Sequence, residues 1–432
     1  MAAHEETAGP GGQQRGREDL DAVLGRVTAD LLRQSHLMRP AGVADALARA
    51  ARPLGVSAVL VYLADLQQRR LAALPSGTGG DAQDLPIDST LAGRAYQTVT
   101  IQLAPARGAG AGYQVWIPLV DGTERLGVLF LAVADVGEDM LVRYRMLASL
   151  AGVMIMSKSS YSDTYALIER EREMALQAEL VWAFLGPRTF ATERVLVAAS
   201  LEPAYEAGGD AFDYSLLGDH LHASIFDAIG HDLAAGLLAS VGLAACRSTR
   251  RSGGSLADIA ARADDAIADF FGENRFVTAL LCDLDLVTGT LTWIPCGHPP
   301  PLLIRGRAVR ELARTPRPPL GLAGAYPSRR GGRRVNAAPA PATYTEKLEP
   351  GDRVLLYTDG VTEGRAADGT PFGLDRLADF ITRHSSALLP APETMRRLNH
   401  TILDYQQGRL RDDATAVLIE WQPDQPGRTL IP

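Results

Sequence analysis

Four short acidic signatures constrain this chain more than any other feature of it. They are Gly208-Gly209-Asp210-Ala211-Phe212-Asp213, Phe226-Asp227-Ala228-Ile229-Gly230-His231, Tyr357-Thr358-Asp359-Gly360-Val361-Thr362-Glu363 and Asp412-Asp413-Ala414-Thr415. Each sets an Asp where a strand-like apolar run meets a turn or a glycine, the usual place for a side chain that projects into a site. A fold that gathers them must hold together carboxylates that repel one another. Carboxylates gathered without His or Cys partners suit Mg²⁺ or Mn²⁺, and the combination points to metal-assisted phosphate chemistry.

The chain's 432 residues leave room for more than one domain with its own core. A formal charge of −8 argues against nucleic acid as the general partner, since phosphate backbones need a basic face. The cysteines, Cys246, Cys282 and Cys296, are odd in number and lack C-x-x-C spacing. This argues against a disulfide framework or structural zinc and suits a reducing cytosol. Residues 1–17 are polar and Gly-rich, expected to be disordered, with nothing resembling a signal peptide. The longest apolar runs, Leu233–Cys246 and Leu147–Met156, are too short to span a bilayer and read as buried helices, so no membrane association is expected.

Residues from about 18 to 52 show helical periodicity, with Leu20, Val23, Leu24, Val27 and Leu31 on one face. Ser57–Leu63 reads as a strand. Gln114–Val120 and Leu126–Val133 flank Asp121-Gly122 as a hairpin, and a helix follows at about 137–158. This order predicts an α+β domain. The hairpin, IPLVDGTERLGVLFLAV, resembles the central hairpin of GAF sensor domains, and DSTLAGRAYQT resembles the short helix that helps line their ligand pocket. The resemblance covers residues 18–156 and implies either a small-molecule sensor or a dimerisation module without a ligand. The absence of cysteine from residues 1–245 excludes a thioether-linked bilin and a Cys-ligated iron–sulfur cluster there. His36, alone between His4 and His220, gives too few ligands for a bis-histidyl haem. Residues 157–187, rich in helix formers and closed by Gly186-Pro187, read as a linker helix, either signalling through a coil with a second copy or plain.

Beyond Arg194, strand-like runs (Val195–Ser200, His222–Asp227, Phe276–Leu286, Thr290–Cys296, Pro301–Ile304, Arg353–Thr358, Ala414–Trp421) and the helical Leu233–Cys246 suggest sheets covered by helices. The segments EPAYEAGGDAFDY, FDAIGHDLAAGLLAS, RFVTALLCDLDLVTGTLTWIPCGHPPPLL, PPLGL, LEPGDRVLLYTDGVTEGR and RDDATAVLIEW follow one another in this region. In wording and order they resemble the SpoIIE/RsbU-type phosphatases, a bacterial branch of the metal-dependent PP2C (PPM) serine/threonine phosphatases.

That resemblance implies an α-β-β-α sandwich over residues 188–422, followed by a tail at 423–432. It implies two Mn²⁺ or Mg²⁺ ions held by Asp210, Asp227, Asp359, Asp412 and the backbone carbonyl of Ala228, with Asp227, Asp210 and Asp359 as the catalytic set. The implied reaction is direct attack by a metal-activated water, without a phosphoenzyme. The implied substrate is a phosphoserine or phosphothreonine on a STAS-type anti-anti-sigma factor, in the cytoplasm, with homodimerisation through the N-terminal domain and linker. Rival readings are a catalytically silent scaffold, or a phosphatase of the same fold acting on a small metabolite.

Other positions read as structural. Asp213 and Asp413 are expected at the surface or behind the ligands, Glu363 in a structural position or behind the ligands, and His298 in a packed turn. His231 lies four residues after Asp227, whereas the histidine of animal PP2C enzymes follows its metal Asp by two. Asp232 adds a carboxylate beside the site. The Arg-rich stretch over 328–342 reads as a solvated loop or as a basic flap for an acidic partner.

Overall fold

The computed structural model describes residues 10–77, 82–106, 112–206, 208–272, 275–322, 342–386, 389–408 and 410–423. The chain divides between Glu171 and Arg172 into two compact units.

The first unit runs α1 (Pro10–Ser35), α2 (Val43–Ala51), β1 (Val56–Ala64), β2 (Arg70–Ala73), β3 (Leu85–Pro86), α3 (Leu91–Thr98), β4 (Gln102–Pro105), β5 (Tyr113–Asp121), β6 (Glu124–Val133), α4 (Glu138–Ser159) and α5 (Thr164–Glu169). Its strands form one six-stranded antiparallel sheet in the order β3-β2-β1-β6-β5-β4. Leu24, Val27 and Leu31 of α1 and Leu47 of α2 share a core with Leu147, Ala151 and Ile155 of α4 and with Val61, Ile117 and Leu129 of the sheet. α3 covers a second cluster, with Ala92, Ala95 and Tyr96 against Tyr62 and Val128. Thr90 caps α3, its side chain accepting the amide of Gly93 at 3.0 Å.

Three expectations for this half need correction. Helix α1 begins at Pro10, so residues 10–17 of the stretch expected to be disordered are helical, and residues 1–9 lie outside the described residues. Polarity does not preclude a helix whose later turns are anchored in a core, and proline is tolerated in a first turn, where its missing amide has no partner to lose. Second, α4 is 22 residues long and, by length and composition, apolar enough to cross a membrane. It is longer than its apolar run because Glu138–Tyr144 extends it, and it packs Tyr144, Leu147, Ala148 and Met154 into the first unit's core.

Third, residues 157–187 are not one helix. α4 ends at Ser159, α5 covers Thr164–Glu169, and α6 begins at Leu176. Good helix formers lose here to tertiary hydrogen bonds: the Glu169 carbonyl accepts the Leu66 amide at 3.0 Å, and Arg70 Nε donates to Glu171 at 2.6 Å. Arg170 adopts an extended conformation, which ends α5.

The second unit continues with α6 (Leu176–Phe184), β7 (Thr189–Ala191), β8 (Val195–Glu202), β9 (Asp210–Leu217), β10 (His220–Ala228), α7 (Leu233–Arg251), α8 (Leu256–Phe271), β11 (Val277–Asp285), β12 (Thr290–Cys296), β13 (Leu302–Arg305), β14 (Ala308–Glu311), β15 (Tyr344–Lys347), β16 (Arg353–Tyr357), α9 (Asp359–Glu363), α10 (Gly373–Ser386), α11 (Ala391–Tyr405) and β17 (Ala414–Trp421). Two antiparallel sheets result, β15-β12-β11-β10-β9 and β14-β13-β16-β17-β8-β7. Leu221, Ile225 and Leu280 of the first sheet share a core with Val197, Leu356 and Val417 of the second. The outer face of the first sheet is covered by α7 and α8, where a Cβ on Gly242 of α7 would stand 3.5 Å from the Phe226 ring and 3.8 Å from Ile267 of α8. α10 and α11 cover the second sheet, placing Phe380, Ile381, Met395 and Leu398 on Ala198, Leu355 and Leu418.

This is an α-β-β-α sandwich, as expected. β17 is buried along its whole length. That explains why Ala414–Trp421 reads as a continuous apolar run rather than an alternating one. The Arg-rich stretch at 328–342, read as a solvated loop or a basic flap, lies outside the described residues except for Ala342, as does the tail from residue 424.

Candidate active site

The start of β9, the end of β10, the end of β16 and the start of β17 come together at one end of the sandwich. Asp210 is the first residue of β9 and stands directly opposite Asp227 on β10, so both side chains leave the same face of the sheet. Asp359 opens α9 directly after Thr358, and Asp412 precedes Asp413 at the entry to β17. The fields of Asp359 and Asp412 reach Asp227, and that of Asp227 reaches Asp210. The fold therefore assembles all four carboxylates picked out from the sequence.

Backbone and hydroxyl groups position them. Thr358 Oγ1 donates to Asp210 Oδ2 at 2.7 Å and accepts the Thr415 amide at 3.0 Å. That chain ties β16 and β17 to the first strand of the opposite sheet. Asp413 Oδ2 accepts the amides of Gly208, Gly209 and Asp210 at 2.8, 2.7 and 3.2 Å. The Ala228 amide donates to the Gly209 carbonyl at 3.0 Å. A Cβ on Gly209 would sit 2.7 Å from the carbonyl oxygens of Ala228 and Gly230, so only glycine lets these backbones approach so closely.

The electrostatics are those of a self-repelling cluster. Burial, then Asp359, Asp412 and Asp413, push Asp227 up to about 7. Burial, then Asp413 and Asp227, hold Asp210 well above the ordinary carboxylate range. Asp359 is raised by burial and by Asp412. Asp412 reaches solvent but is partly desolvated by its surroundings, which raises it, and the Asp413 amide partly offsets this. Such a group of oxygens stays ionised at neutral pH only with cations among it.

The donors fit hard divalent cations, being carboxylates and a carbonyl with no thiolate or imidazole among them. Among the described residues, no three His, Cys, Asp or Glu side chains converge tightly enough to cage a single ion. Mg²⁺ is commonly held by one or two carboxylates, with water or substrate phosphate completing its shell. Asp210, Asp227, Asp359, Asp412 and the Ala228 carbonyl are the groups that would hold such ions.

The remaining positions separate clearly. Asp413 is buried, and its work is the amide clamp, a role that sequence reasoning left open. Asp213 lies on the outer face of the sheet, buried in ion pairs with Arg247 and Arg250 of α7 at 2.7 and 2.9 Å. Asp232 caps α7, its Oδ1 accepting the Ala235 amide at 2.9 Å. Glu363, expected in a structural position or behind the ligands, is instead exposed, and it adds negative potential at Asp412. His231 is exposed and lowers the cost of charge on Asp412 and Asp413.

His298 is structural. Its Nε2 lies 3.0 Å from the Tyr357 carbonyl and its Nδ1 2.8 Å from Thr278 Oγ1. A carbonyl only accepts, so Nε2 carries the proton and Nδ1 accepts from the threonine hydroxyl. Burial pushes its pKa down to about 3, leaving a neutral bridge between the two sheets.

Residues 218–422 match the family model described as Stage II sporulation protein E (SpoIIE). The chain is 22% identical over 283 residues to the phosphoserine phosphatase RsbU of Bacillus subtilis, covering 62% of this chain and 77% of RsbU. It is 25% identical over 161 residues to protein IcfG of Synechocystis sp., covering 36% of this chain and 22% of IcfG. Among solved structures it is similar to the SiaA-PP2C domain of Pseudomonas aeruginosa, with 22% identity, a TM-score of 0.44, and coverage of 52% of this chain and 86% of that one.

Proposed function

We propose that this chain, whose C-terminal unit is a SpoIIE-type PP2C phosphatase domain, is a Mn²⁺- or Mg²⁺-dependent protein serine/threonine phosphatase acting in the cytoplasm. The observation that carries the proposal is the register of Asp210 against Asp227, with Asp359 and Asp412 at the same end of the sandwich. Two divalent ions bound there would activate a water for in-line attack on phosphorus and neutralise charge on the phosphoryl oxygens.

The chain's own residues set the stage. Asp210 is fixed by Thr358, and the turn before it by Asp413. Among the described residues, the buried histidine beside Asp227 and Thr278 is His298, and both its ring nitrogens are committed to the bridge between sheets. The leaving serine or threonine oxygen accordingly takes its proton from water. His231, at the mouth of the site, contributes positive potential when protonated.

The substrate in this proposal is a phosphoserine or phosphothreonine on a STAS-type anti-anti-sigma factor. The N-terminal unit acts as a GAF-like sensor and homodimerisation module that sets phosphatase activity. The exposed position of Asp412 suits a protein substrate, since the site opens at the end of the sandwich rather than inside it. Turnover of a phosphorylated STAS-domain protein, compared with serine phosphate and a hexose phosphate, tests the substrate class. Preference for the free phosphate esters would favour a metabolite phosphatase. Binding of the phosphoprotein without turnover, with Mn²⁺ present, would favour a scaffold.

A further inference from the structure

Far from the carboxylate cluster, the outer face of the first sheet ends in a cavity of about 530 Å³ beneath the α7–α8 turn. Its floor is a row of polar residues in direct register across four strands. Ser215 of β9 faces His222 of β10, which faces Asp283 of β11, which faces Thr292 of β12. All four line the cavity. A polar row on a sheet face that packs beneath helices is costly unless hydrogen-bonded. His222 is 4% exposed, and its Nε2 has no hydrogen-bond partner among the described residues. From His222 to Asp227 is five residues of extended strand, about 17 Å, so the cavity is separate from the carboxylate cluster.

The balance of donors and acceptors defines what the cavity would take. Its nearby acids are engaged: Asp283 Oδ1 lies 2.8 Å from His220 Nδ1, and Asp213 binds Arg250 and Arg247. Donors remain beside them: Arg250 gives one Nη1 hydrogen to Asp213, which leaves four of its five N–H groups for other partners. Arg250 lines the cavity, and Gly253, with φ of +79°, turns the chain so that the first turn of the 16-residue α8 faces it. The capping box of Ser255 and Asp258 leaves out the amides of Leu256 and Ala257, at the positive end of the helix dipole. Leu217, Leu256 and Ile259 supply apolar walls.

We propose that this cavity binds a small organic carboxylate. Its oxygens would take up the first-turn amides of α8 and Arg250, its apolar body would lie on Leu217, Leu256 and Ile259, and a polar edge would meet His222. Burial and Arg250 hold the His222 pKa at about 4, so the ring is a neutral hydrogen-bonding group at physiological pH. The proposal requires no catalytic activity and stands apart from the phosphatase assignment.

Sodium benzoate is a suitable probe. The full chain is labelled with ¹³C in its histidine rings, and the His222 signal is assigned from a His222→Gln variant. Benzoate is expected to move that signal saturably with a midpoint of about 1 mM, ordinary for so small a ligand. Benzamide, of the same shape but uncharged, is expected to bind at least about tenfold more weakly, one charge-assisted contact being worth that much. Leu256→Trp and, independently, Thr292→Tyr fill the cavity, and each is expected to abolish the response in protein that still melts cooperatively. No response to benzoate, an equal response to benzamide, or an undiminished response in both filled variants would each overturn the proposal.

Discussion

The Oδ2 atom of Asp413 lies 2.7 Å from the amide of Gly209, and this contact holds the turn that presents Asp210. The same oxygen takes the amides of Gly208 and Asp210. A single carboxylate therefore pins the start of β9 to the start of β17 before any cation is bound.

Removing that carboxylate strands three buried donors. Asp413→Ala is expected to lower stability by about 3 kcal/mol in urea denaturation, the range for lost hydrogen bonds to a charged group. Asp413→Asn keeps one acceptor oxygen and is expected to cost about 1 kcal/mol. An alanine variant within about 0.5 kcal/mol of the parent would show that the clamp does not hold the turn.

Thr358 acts through Asp210, so its loss is expected to appear in metal dependence more than in the folded state. Thr358→Val is expected to weaken the apparent Mn²⁺ affinity by about 10–100-fold, the usual effect of removing a group that orients a metal ligand. Thr358→Ser, which keeps the hydroxyl, is expected to restore it. A valine variant whose Mn²⁺ titration overlays the parent curve would remove Thr358 from the site's support.

Acid sensitivity has a specific source in this unit. His222 and His298 are held neutral, with pKa pushed down to about 4 and about 3, whereas in the unfolded chain they take protons near the ordinary value for histidine. A lowered folded pKa means that the unfolded state gains protons first. Stability is therefore intact above about pH 6.5 and falls as pH drops toward 4, by up to about 1.4 kcal/mol per pH unit for each ring. In His222→Gln, the loss between pH 7 and 5 is expected to shrink by about 2 kcal/mol. Parallel pH profiles for parent and variant would show that His222 is not the cause.

Much of this was legible in the sequence because the site is made of strand ends. Asp210, Asp227 and Asp412 stand where apolar runs stop, and the runs themselves mark β8, β10, β11 and β17. The supporting contacts were not legible. Asp413 looks like any polar strand entry, and Thr358 like any strand threonine, until β9 and β17 are brought together from distant parts of the chain. The 157–187 segment misled for the opposite reason: its local helix propensity is real, but hydrogen bonds from Leu66 and Arg70 outweigh it. Asp213 reads like Asp210 in the motif, yet the strand's alternation turns it outward to Arg247 and Arg250.

The most direct test of the central claim is hydrolysis of p-nitrophenyl phosphate by the full chain with Mn²⁺, with Mg²⁺ or with EDTA, comparing the parent with Asp227→Asn. The account predicts metal-dependent turnover that EDTA abolishes and that falls at least about 100-fold in the variant, a loss of about 2.7 kcal/mol of transition-state stabilisation, while the variant remains folded. Turnover by Asp227→Asn close to that of the parent, or turnover unaffected by EDTA, would contradict it.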